Sequence, residues 1–295
     1  MTHSRNRCTL CDSDRLAPMY DLKGLSIWRC EDCSLVFNAI SLKPELDMGS
    51  YYSPSYYEER GEYYDDAAES KAHQDKMESF HAGLDMLDKY KPDHGRLLDV
   101  GCGLGAFLKL AQERGWEVSG IDISSHAASV ASEKTGTRVI AGELKDAGFA
   151  DTEFDAVSLC DAFEHFIDPN EQLRQILRIL KHDGILFLNT PNQQALLRSV
   201  AHGIYRGSGG RISYPVRKLY HEFHLYYYSE ANLRRMLEKH GFEAVEITRK
   251  TIPALKARGT RLERMIVRSF SYLERMLNKE YEILTVAKKK APPPG

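Results

Sequence analysis

Residues 96–110, RLLDVGCGLGAFLKL, predict a short buried strand followed by a glycine-rich turn and a helix. Gly101, Gly103 and Gly105 form the turn, where glycine can adopt backbone angles that other residues avoid. Because glycine has no Cβ, a ligand can also lie against the main chain there. The unpaired amides at the start of the helix favour a carboxylate. The stretch therefore predicts a nucleotide-binding turn.

A second acid follows this turn at an informative distance. The next predicted strand, residues 117–121, ends at Asp122, about 20 residues after the glycines, where open α/β sheets place a carboxylate for ribose hydroxyls. The third glycine comes one position too early for a dinucleotide fingerprint, since the order is G-x-G-x-G. A dinucleotide site is therefore the second interpretation, and a ligand-free strand-to-helix turn is the third.

Asp99 directly before the glycines and Asp122 after the next strand resemble the class I S-adenosylmethionine-dependent methyltransferases. The resemblance implies an α/β, Rossmann-like fold with a seven-stranded, mostly parallel sheet and helices on both faces. It also implies that Asp99 and the glycines approach the methionine moiety, that Asp122 holds the ribose, and that Glu143 reaches the adenine. The cofactor-binding residues implied in this way are Asp99, Gly101, Cys102, Gly103, Gly105, Asp122, Ile123, Glu143, Cys160 and Asp161.

The composition argues against several classes of function. The 295 residues include 40 Lys and Arg against 42 Asp and Glu, so the chain has no general basic field for a nucleic acid. It has no run of about 18 apolar residues, and its N-terminus lacks the apolar core of a signal peptide. We therefore expect a cytoplasmic protein without a transmembrane segment, and we do not expect nucleic acid as its partner.

Four of the six cysteines form a pattern typical of a zinc site. Cys8, Cys11, Cys30 and Cys33 make two C-x2-C pairs separated by eighteen residues. Two such pairs supply four thiolates to a tetrahedral zinc ion with no open position, which predicts a structural zinc ribbon over residues 1–40. A redox C-x2-C would not need a second pair. Some zinc-bearing methyltransferases act on ribosomal RNA, but the balanced charges of this ribbon favour a packing role.

Residues 41–90 predict a lid segment and a lead-in helix. Tyrosines are concentrated in the first part, where their amphipathic rings suit a surface segment that folds over a ligand. An interdomain linker held by aromatic contacts is the alternative. The spacing of Met77, Phe80, Leu84 and Leu87 predicts a helix over residues 67–89. The six tyrosines are Tyr51, Tyr52, Tyr56, Tyr57, Tyr63 and Tyr64.

The sequence 161-DAFEHFIDP-169 follows the fourth predicted strand and should border the ligand crevice. It resembles a segment of methyltransferases of the ubiquinone O-methyltransferase type, in which an acid-x-x-Glu-His pattern is associated with a divalent cation. The resemblance implies a cation site at Asp161, Glu164 and His165, which could form one face of an octahedron. The alternative is that Glu164 and His165 make local hydrogen bonds that shape the loop. His165 is also a candidate base.

Residues 191–228 predict an irregular insertion that faces the substrate, because glycines and Pro215 interrupt the periodic pattern. Five cations in it suit an acceptor with a phosphate or carboxylate group, and a solvated basic surface is the alternative. These cations are Arg198, Arg206, Arg211, Arg217 and Lys218.

Two histidines near the end of this insertion are further candidate bases. The order 221-HEFH-224 is one residue shorter than the H-E-x-x-H motif of zinc proteases, so that interpretation is rejected. In the resembled family, a histidine followed by an apolar and an aromatic residue before a Ser-capped helix often borders the acceptor pocket, and His224 matches this position. His224 is therefore the preferred general base and His221 the second, while a histidine bonded only to backbone is the alternative.

The remaining alternation completes a methyltransferase domain predicted over residues 91–290. A helical insertion at 255–280 contains an amphipathic helix over about residues 260–278, which is expected to pack on a membrane surface, on a second subunit in a homodimer or on its own domain. Residues 291–295 are expected to be a disordered tail. The other predicted elements are strands at 139–141, 154–159, 185–189, 242–249 and 281–288, a helix at 169–180 and a turn at 182–184.

The predicted activity is methyl transfer from S-adenosylmethionine to a small molecule. The sulphonium already activates the methyl group, so the protein mainly orients the acceptor, and a histidine removes the proton of a hydroxyl acceptor. O-methylation of a sugar, a polysaccharide precursor or a secondary metabolite is the first interpretation. C-methylation of a nucleotide-linked sugar is the second and RNA base methylation the third. A non-catalytic nucleotide-binding regulator is the alternative from a different class.

Overall fold

The computed structural model describes residues 7–43, 49, 51–59, 71–251 and 261–290. Tyr63 and Tyr64 of the predicted lid lie outside these residues, as do residues 67–70 of the predicted lead-in helix and the tail at 291–295. The strands are β1 (Leu16–Leu22), β2 (Leu25–Cys30), β3 (Val36–Asn38), β4 (Arg96–Val100), β5 (Glu117–Asp122), β6 (Val139–Ala141), β7 (Phe154–Cys160), β8 (Leu180–Pro191), β9 (Tyr226–Tyr227), β10 (Phe242–Lys250) and β11 (Glu282–Lys289). The α-helices are α1 (Pro54–Glu58), α2 (Lys71–Tyr90), α3 (Ala106–Glu113), α4 (Ser125–Thr135), α5 (Pro169–Ile179), α6 (Leu196–Gly207), α7 (Tyr214–Leu219), α8 (Glu230–Lys239) and α9 (Arg261–Met276).

A seven-stranded sheet forms the centre of the molecule, with the strand order β10-β11-β8-β7-β4-β5-β6. Strands β6, β5, β4, β7 and β8 are parallel neighbours, and β11 pairs antiparallel with both β8 and β10. This confirms the predicted α/β fold with a mostly parallel sheet. Strands β10 and β11 at this edge lie where two strands were predicted, with bounds that differ by one residue.

The order of the strands places the ligand crevice at β4. The chain runs outward from β4 to β5 and β6, and then returns to the other side of β4 as β7. Ligands of open α/β sheets bind at such a reversal, outside the carboxyl ends of the strands. In this register Asp99 lies opposite Gly120 of β5 and Ser158 of β7.

Helices cover both faces of this sheet, as predicted. On one face, Leu84 of α2 and Phe107 of α3 are buried in a core with Phe187 of β8. On the other face, Ile176 of α5 and Met236 of α8 are buried in a separate core. Burial of these apolar stripes supplies most of the helical stability, because an isolated helix of this length is marginal in water.

Strand β8 begins earlier than predicted. Phe154 pairs with Leu180, but Ala156 pairs with Ile185, so five steps along β8 match two steps along β7. The turn predicted at residues 182–184 therefore becomes an irregularity inside one long strand. The central part of β8, from Ile185 onward, matches the predicted fifth strand.

The N-terminal residues form a second, smaller sheet with the order β1-β2-β3-β9. Its fourth strand, β9, comes from the far end of the predicted insertion and pairs antiparallel with β3. The Asn232 side-chain amide also donates a hydrogen bond to the Cys33 carbonyl, at 2.7 Å. The N-terminal module is thus joined to the main domain through the end of the insertion and the helix that follows it.

The insertion at residues 191–228 is more regular than predicted, because it contains α6, α7 and β9. Tertiary packing outweighs the helix-breaking glycines: Ala201 of α6, Val216 of α7 and Tyr220 are buried against Tyr20 and Ile27 of the N-terminal sheet. The prediction of an irregular segment is therefore wrong. One of its faces packs on the N-terminal sheet.

Helix α9 lies where the sequence predicted an amphipathic helix. Near its carboxyl end the side chains of Tyr272, Leu273, Met276 and Leu277 are exposed. Its contact with a membrane surface or a second subunit stays a prediction. Within the described residues, every helix is too short or too polar to span a bilayer.

Candidate active site

A cavity of about 490 Å³ opens at the carboxyl ends of β4, β5 and β7. Most of the predicted cofactor-binding residues line it. They are Asp99, Gly101, Cys102, Gly103, Asp122, Ile123, Glu143, Cys160 and Asp161. Gly105 is not among the lining residues. It precedes α3, and a Cβ at this position would lie 3.0 Å from the Cβ of Ala131.

The glycine turn is held in a conformation that favours glycine. Gly101, Gly103 and Gly105 have φ angles of 77°, 51° and 79°. A Cβ on Gly101 would also lie only 2.8 Å from the Cβ of Ala162. The turn therefore needs glycine both for its backbone angles and for its close approach to the loop after β7.

Asp122 is fixed by the backbone of this turn. Its Oδ2 accepts a hydrogen bond from the Gly103 amide at 2.8 Å, and its Oδ1 accepts one from the Ser124 amide at 2.9 Å. Burial raises the pKa of Asp122, and these two amides oppose the shift. Each carboxylate oxygen retains a lone pair, so Asp122 can still accept hydrogen bonds from two hydroxyls of a ligand.

Asp99 is the second acid of the cavity and is 1% exposed. Its Oδ1 accepts a hydrogen bond from the Ser158 hydroxyl at 2.7 Å. Burial raises the pKa of Asp99 to about 7, and the nearby charge of Asp122 adds to the shift. A positively charged ligand group would stabilise the ionised form. Cys102 and Cys160 line the same wall as neutral thiols, because burial raises the pKa of both well above its usual value.

Tyrosines of the predicted lid cover the cavity. Tyr52, Tyr56 and Tyr57 all line it, and the Tyr52 carbonyl accepts a hydrogen bond from the Ser124 hydroxyl at 2.6 Å. The Tyr57 ring is 6% exposed and lies 5.8 Å from the His126 ring, measured between centroids. The lid is therefore attached to the start of α4, directly after Asp122.

Several lining residues were missed by the sequence analysis. Lys76 and Phe80 reach the cavity from α2, and Phe166 and Glu171 reach it from the segment after β7. Lys76 is 6% exposed and lies within 5.9 Å of the Phe80 ring centroid. A lysine beside the apolar stripe of a predicted helix was the available signal, but the pattern alone does not show that α2 faces a cavity.

Asp161 is held apart from the cation site predicted for it. The Asn189 side-chain amide donates to Asp161 Oδ1 at 3.1 Å, and the Asp161 amide donates to Asn189 Oδ1 at 2.8 Å. The structure instead brings Glu164 and His165 together with His224, with one ligand atom of each within 4.8 Å of the others. Within the described residues, Glu164 and His165 thus group with His224 rather than with Asp161, and a bound cation stays a prediction.

The surroundings of Glu164 favour its neutral form. It is 1% exposed, and its Oε2 accepts a hydrogen bond from the Thr190 hydroxyl at 3.0 Å. Burial raises the pKa of Glu164 to about 8, and the charge of Asp161 adds to the shift. A bound cation, or a positive charge on a neighbouring histidine, would favour its ionised form.

His165 lines the cavity and has one unprotonated ring nitrogen. Its Nδ1 lies 2.9 Å from the Phe223 carbonyl oxygen. Since a carbonyl only accepts, Nδ1 carries the proton and Nε2 is the basic nitrogen. Burial lowers the pKa of His165 to about 4, so the ring is neutral at physiological pH.

The residues that line the cavity do not include His224 and His221. The ring centroids of His165 and His224 are 4.7 Å apart, and those of His221 and His224 are 5.2 Å apart. Within the described residues, His224 Nδ1 has no hydrogen-bond partner. Burial lowers the pKa of His224 well below its usual value. Of the three predicted bases, His165 is therefore the one that reaches the cavity, and the preferred His224 is one step further away.

The four N-terminal cysteines come together as their spacing predicted. The Sγ atoms of Cys8 and Cys33 are 3.4 Å apart, and those of Cys11 and Cys30 are 3.5 Å apart. All four sulphurs lie within 4.8 Å of one another. A tetrahedral zinc ion with zinc–sulphur bonds of about 2.3 Å needs sulphurs about 3.8 Å apart, so the donor set and its size fit zinc.

The family of the chain follows from comparison with known sequences. The profile of a family described as a methyltransferase domain matches residues 72–247, which include α2, the glycine turn, both cavity acids and the histidine cluster. The chain therefore belongs to the methyltransferase-domain family.

Curated relatives agree with this family. An uncharacterized protein of Methanocaldococcus jannaschii is 30% identical over 57% of this chain and 67% of its own length. The 2-methyl-6-phytyl-1,4-hydroquinone methyltransferase of Synechocystis is 35% identical over 41% of this chain and 40% of its own length. A ubiquinone biosynthesis O-methyltransferase of Alkalilimnicola ehrlichii is 33% identical over 33% of this chain and 42% of its own length. The chain thus spans less than half of both named enzymes.

Solved structures show the same fold at low sequence identity. The magnesium protoporphyrin IX methyltransferase of Synechocystis, solved with bound S-adenosylhomocysteine, has a TM-score of 0.55, is 16% identical, and covers 83% of this chain and 98% of its own. A protein of Pyrococcus horikoshii has a TM-score of 0.54, is 21% identical, and covers 81% of this chain and 100% of its own. At these identities the likeness concerns the fold.

Proposed function

We propose that the protein is an S-adenosylmethionine-dependent methyltransferase that acts on a small molecule. The observation that carries the proposal is Asp122, whose two oxygens are fixed by the Gly103 and Ser124 amides beside the cavity. A carboxylate beside a glycine turn suits the hydroxyls of a ribose, and the buried Asp99 lines the same cavity. Membership of the methyltransferase-domain family supports the same ligand.

In this proposal the two acids bind different parts of the cofactor. Asp122 accepts hydrogen bonds from the ribose hydroxyls, and the ionised form of Asp99 is stabilised by the positive charge of the methionine part. The lid tyrosines exclude water, which strengthens these electrostatic contacts. The cofactor supplies an activated methyl group, so the main task left to the protein is to align the acceptor with it.

His165 is the proposed base for a hydroxyl acceptor. Its Nε2 is unprotonated, because Nδ1 donates to the Phe223 carbonyl. Its lowered pKa keeps the unprotonated form fully populated at neutral pH, but it also makes His165 a weaker base. His224, whose ring packs against that of His165, positions it. The names of the quinone and hydroquinone relatives support a hydroxyl-bearing or aromatic acceptor, and O-methylation is therefore proposed before C-methylation.

A divalent cation at Glu164, His165 and His224 is a second candidate for this cluster. Two imidazoles and one carboxylate match a donor set that binds first-row divalent metals. The hydrogen bond from His165 Nδ1 to a backbone carbonyl is also typical of metal-bound histidine. In that case the cation would polarise the acceptor oxygen, and His165 would act as a ligand.

We also propose a structural zinc ion at Cys8, Cys11, Cys30 and Cys33. The four sulphurs form a closed set, and Cys8 and Cys30 are buried in the core beneath the main domain. Such a site stabilises the fold and leaves no open coordination position for chemistry.

Transfer of a labelled methyl group tests the proposed activity. The zinc-loaded chain is incubated with methyl-labelled S-adenosylmethionine and an extract of small molecules from its host, with and without a divalent-metal chelator. We expect release of S-adenosylhomocysteine together with one labelled product. Loss of the product after His165→Gln but not after His182→Gln, an exposed histidine in the β8 irregularity, would support the site assignment. Cofactor binding without turnover would favour the regulator interpretation.

A further inference from the structure

Arg198 differs from the other cations of the insertion. It lies in the first turn of α6, shortly after the carboxyl end of β8, and is 2% exposed. The remaining four are exposed on the surface and so match the solvated alternative. They are Arg206, Arg211, Arg217 and Lys218.

The guanidinium of Arg198 carries a buried charge. None of its three guanidinium nitrogens has a hydrogen-bond partner within the described residues. A guanidinium is always charged and carries five N–H donors in a planar fork. Charged groups that are buried this deeply in proteins are normally paired, because an unpaired buried charge is strongly destabilising. The free fork is therefore a feature that needs an explanation.

Three tyrosine rings surround the guanidinium. Its carbon lies 4.7 Å from the ring centroid of Tyr220, 4.9 Å from that of Tyr227 and 5.6 Å from that of Tyr281. The Tyr220 hydroxyl bonds to Gln193, and the Tyr227 hydroxyl donates to the His221 carbonyl. The rings stabilise the cation through their faces. They do not supply the oxygen acceptors that match its N–H fork.

The third ring connects this pocket to the proposed active site. Tyr220 and Tyr227 are buried, whereas Tyr281 is partly exposed, so an anion would have to reach the buried guanidinium past Tyr281. Burial raises the pKa of Tyr281. Arg198 opposes this shift, and the acids Glu282, Glu164 and Asp161 add to it. Asp161 lines the cofactor cavity. The Tyr227 ring also lies 5.8 Å from the His224 ring, which in turn lies 4.7 Å from the ring of His165, a residue that lines the cavity. Arg198 therefore lies on the same side of the cavity as the histidines.

We propose that Arg198, framed by Tyr220, Tyr227 and Tyr281, binds an anionic group of the acceptor. The group is a phosphate or a carboxylate, since both present two oxygens at the spacing of the guanidinium fork. The inference rests on the proposed function and narrows its substrate class. Of the five cations of the insertion that were predicted to suit an anionic acceptor, Arg198 is then the one that binds the anion.

Titration with simple anions tests this subsite. The full chain, loaded with zinc and saturated with S-adenosylhomocysteine, is titrated with inorganic phosphate and, separately, with acetate at constant ionic strength. Concentrations up to about 50 mM suffice, because an anion of four or five heavy atoms in a built pocket should bind in the millimolar range or below. We expect one site, with the tighter anion showing whether the acceptor carries a phosphate or a carboxylate.

Three variants distinguish specific anion binding at Arg198 from nonspecific attraction of anions to the positive charges of the surface. Arg198→Met should weaken anion binding at least about 10-fold, and Arg198→Lys, which keeps the charge without the fork, should weaken it less. Arg206→Met on the exposed side of the same helix should leave it unchanged. The inference would be overturned if the unmodified chain bound neither phosphate nor acetate. It would also be overturned if Arg198→Met bound these anions as tightly as the unmodified chain does. Should the methionine variant not fold, undiminished binding of both anions by Arg198→Lys would also overturn it.

Thermal unfolding gives an independent readout. Removal of an unpaired buried charge should leave the melting temperature of the unliganded Arg198→Met protein unchanged or higher, while the stabilisation by the anion disappears. A purely structural cation among the rings predicts a lower melting temperature and no effect of anions. Binding of S-adenosylhomocysteine is measured first on the same samples. Its absence would contradict the proposed function, whereas its presence without anion binding would contradict only this inference.

Discussion

The two ends of the candidate active site are built in different ways. At the cofactor end, Asp99, the glycine turn and Asp122 follow one another in a single strand–turn–helix–strand unit, and backbone amides fix the carboxylate of Asp122. At the proposed acceptor end, Glu164 and His165 follow β7, His224 precedes β9 and Arg198 lies in α6, so tertiary packing brings three separate segments together. The cofactor end is therefore encoded locally, whereas the acceptor end depends on the rest of the fold.

Removal of zinc should affect the two ends most differently: it should destabilise the fold around the proposed acceptor end and leave cofactor binding intact. Strand β9, next to His224, pairs with β3 of the N-terminal sheet, and Asn232 bonds to the carbonyl of Cys33. We expect chelation to lower the melting temperature strongly, because the binding energy of a structural zinc ion is folding energy. Binding of S-adenosylhomocysteine should persist, since none of the four zinc-site cysteines lines the cofactor cavity.

The measurement is thermal unfolding and cofactor titration before and after chelation, with zinc added back as the control. Loss of cofactor binding together with the metal would show that the two ends are not independent. An unchanged melting temperature would remove zinc from the account.

Asp122→Ala should weaken cofactor binding about 100- to 1,000-fold, because it removes the acceptor for the ribose hydroxyls and leaves two amides unpaired. Equilibrium dialysis with labelled S-adenosylmethionine measures the effect. Asp183→Ala is the matched control, since Asp183 is exposed and pairs with Lys91 on the surface. A loss below about 10-fold, little more than one neutral hydrogen bond contributes, would contradict the ribose role of Asp122.

His165→Gln should lower kcat by about 100-fold or more while the affinity for the cofactor stays unchanged, because a positioned base contributes a factor of about 100 to 10,000. Steady-state kinetics with the identified acceptor measure both quantities. Chelation separates the two roles of the cluster: activity that survives chelation supports His165 as a base, and activity restored only by a divalent cation supports the metal site. His182→Gln should match the unmodified protein.

The pH dependence of stability should show a smaller effect. The pKa of Asp99 is raised to about 7 and that of Glu164 to about 8, so the folded chain holds protons that the unfolded chain has released. Their contribution to stability is therefore largest at low pH and should decrease as the pH rises from about 5 to 8. Glu164→Gln should flatten this slope in denaturant unfolding curves. A slope that is unchanged in this variant would contradict the assignment of the proton to Glu164.

The same contrast explains how much of the molecule the sequence predicts. The strands around the glycine turn and the cysteine cluster were predicted closely, because short-range patterns specify them: an apolar run, glycines with left-handed backbone angles, and a fixed C-x2-C spacing. Asp122 was assigned to the cavity for the same reason.

Residues 191–228 show where local patterns fail. Glycines in the sequence suggest an irregular segment, but contact with Tyr20 and Ile27, far away in the chain, stabilises two helices. The grouping of Glu164 and His165 with His224 instead of Asp161 has a similar origin, because Asn189 at the end of β8 bonds to the Asp161 side chain. The burial of Arg198 likewise depends on three tyrosines from separate segments, which a single sequence does not place together.

Calorimetric titration of the intact, zinc-loaded chain with S-adenosylhomocysteine tests the central claim most directly. We expect one binding site per chain, with the heat signal lost in Asp122→Ala and retained in Asp183→Ala. A well-folded, zinc-loaded chain that binds neither S-adenosylhomocysteine nor S-adenosylmethionine would contradict the proposed function.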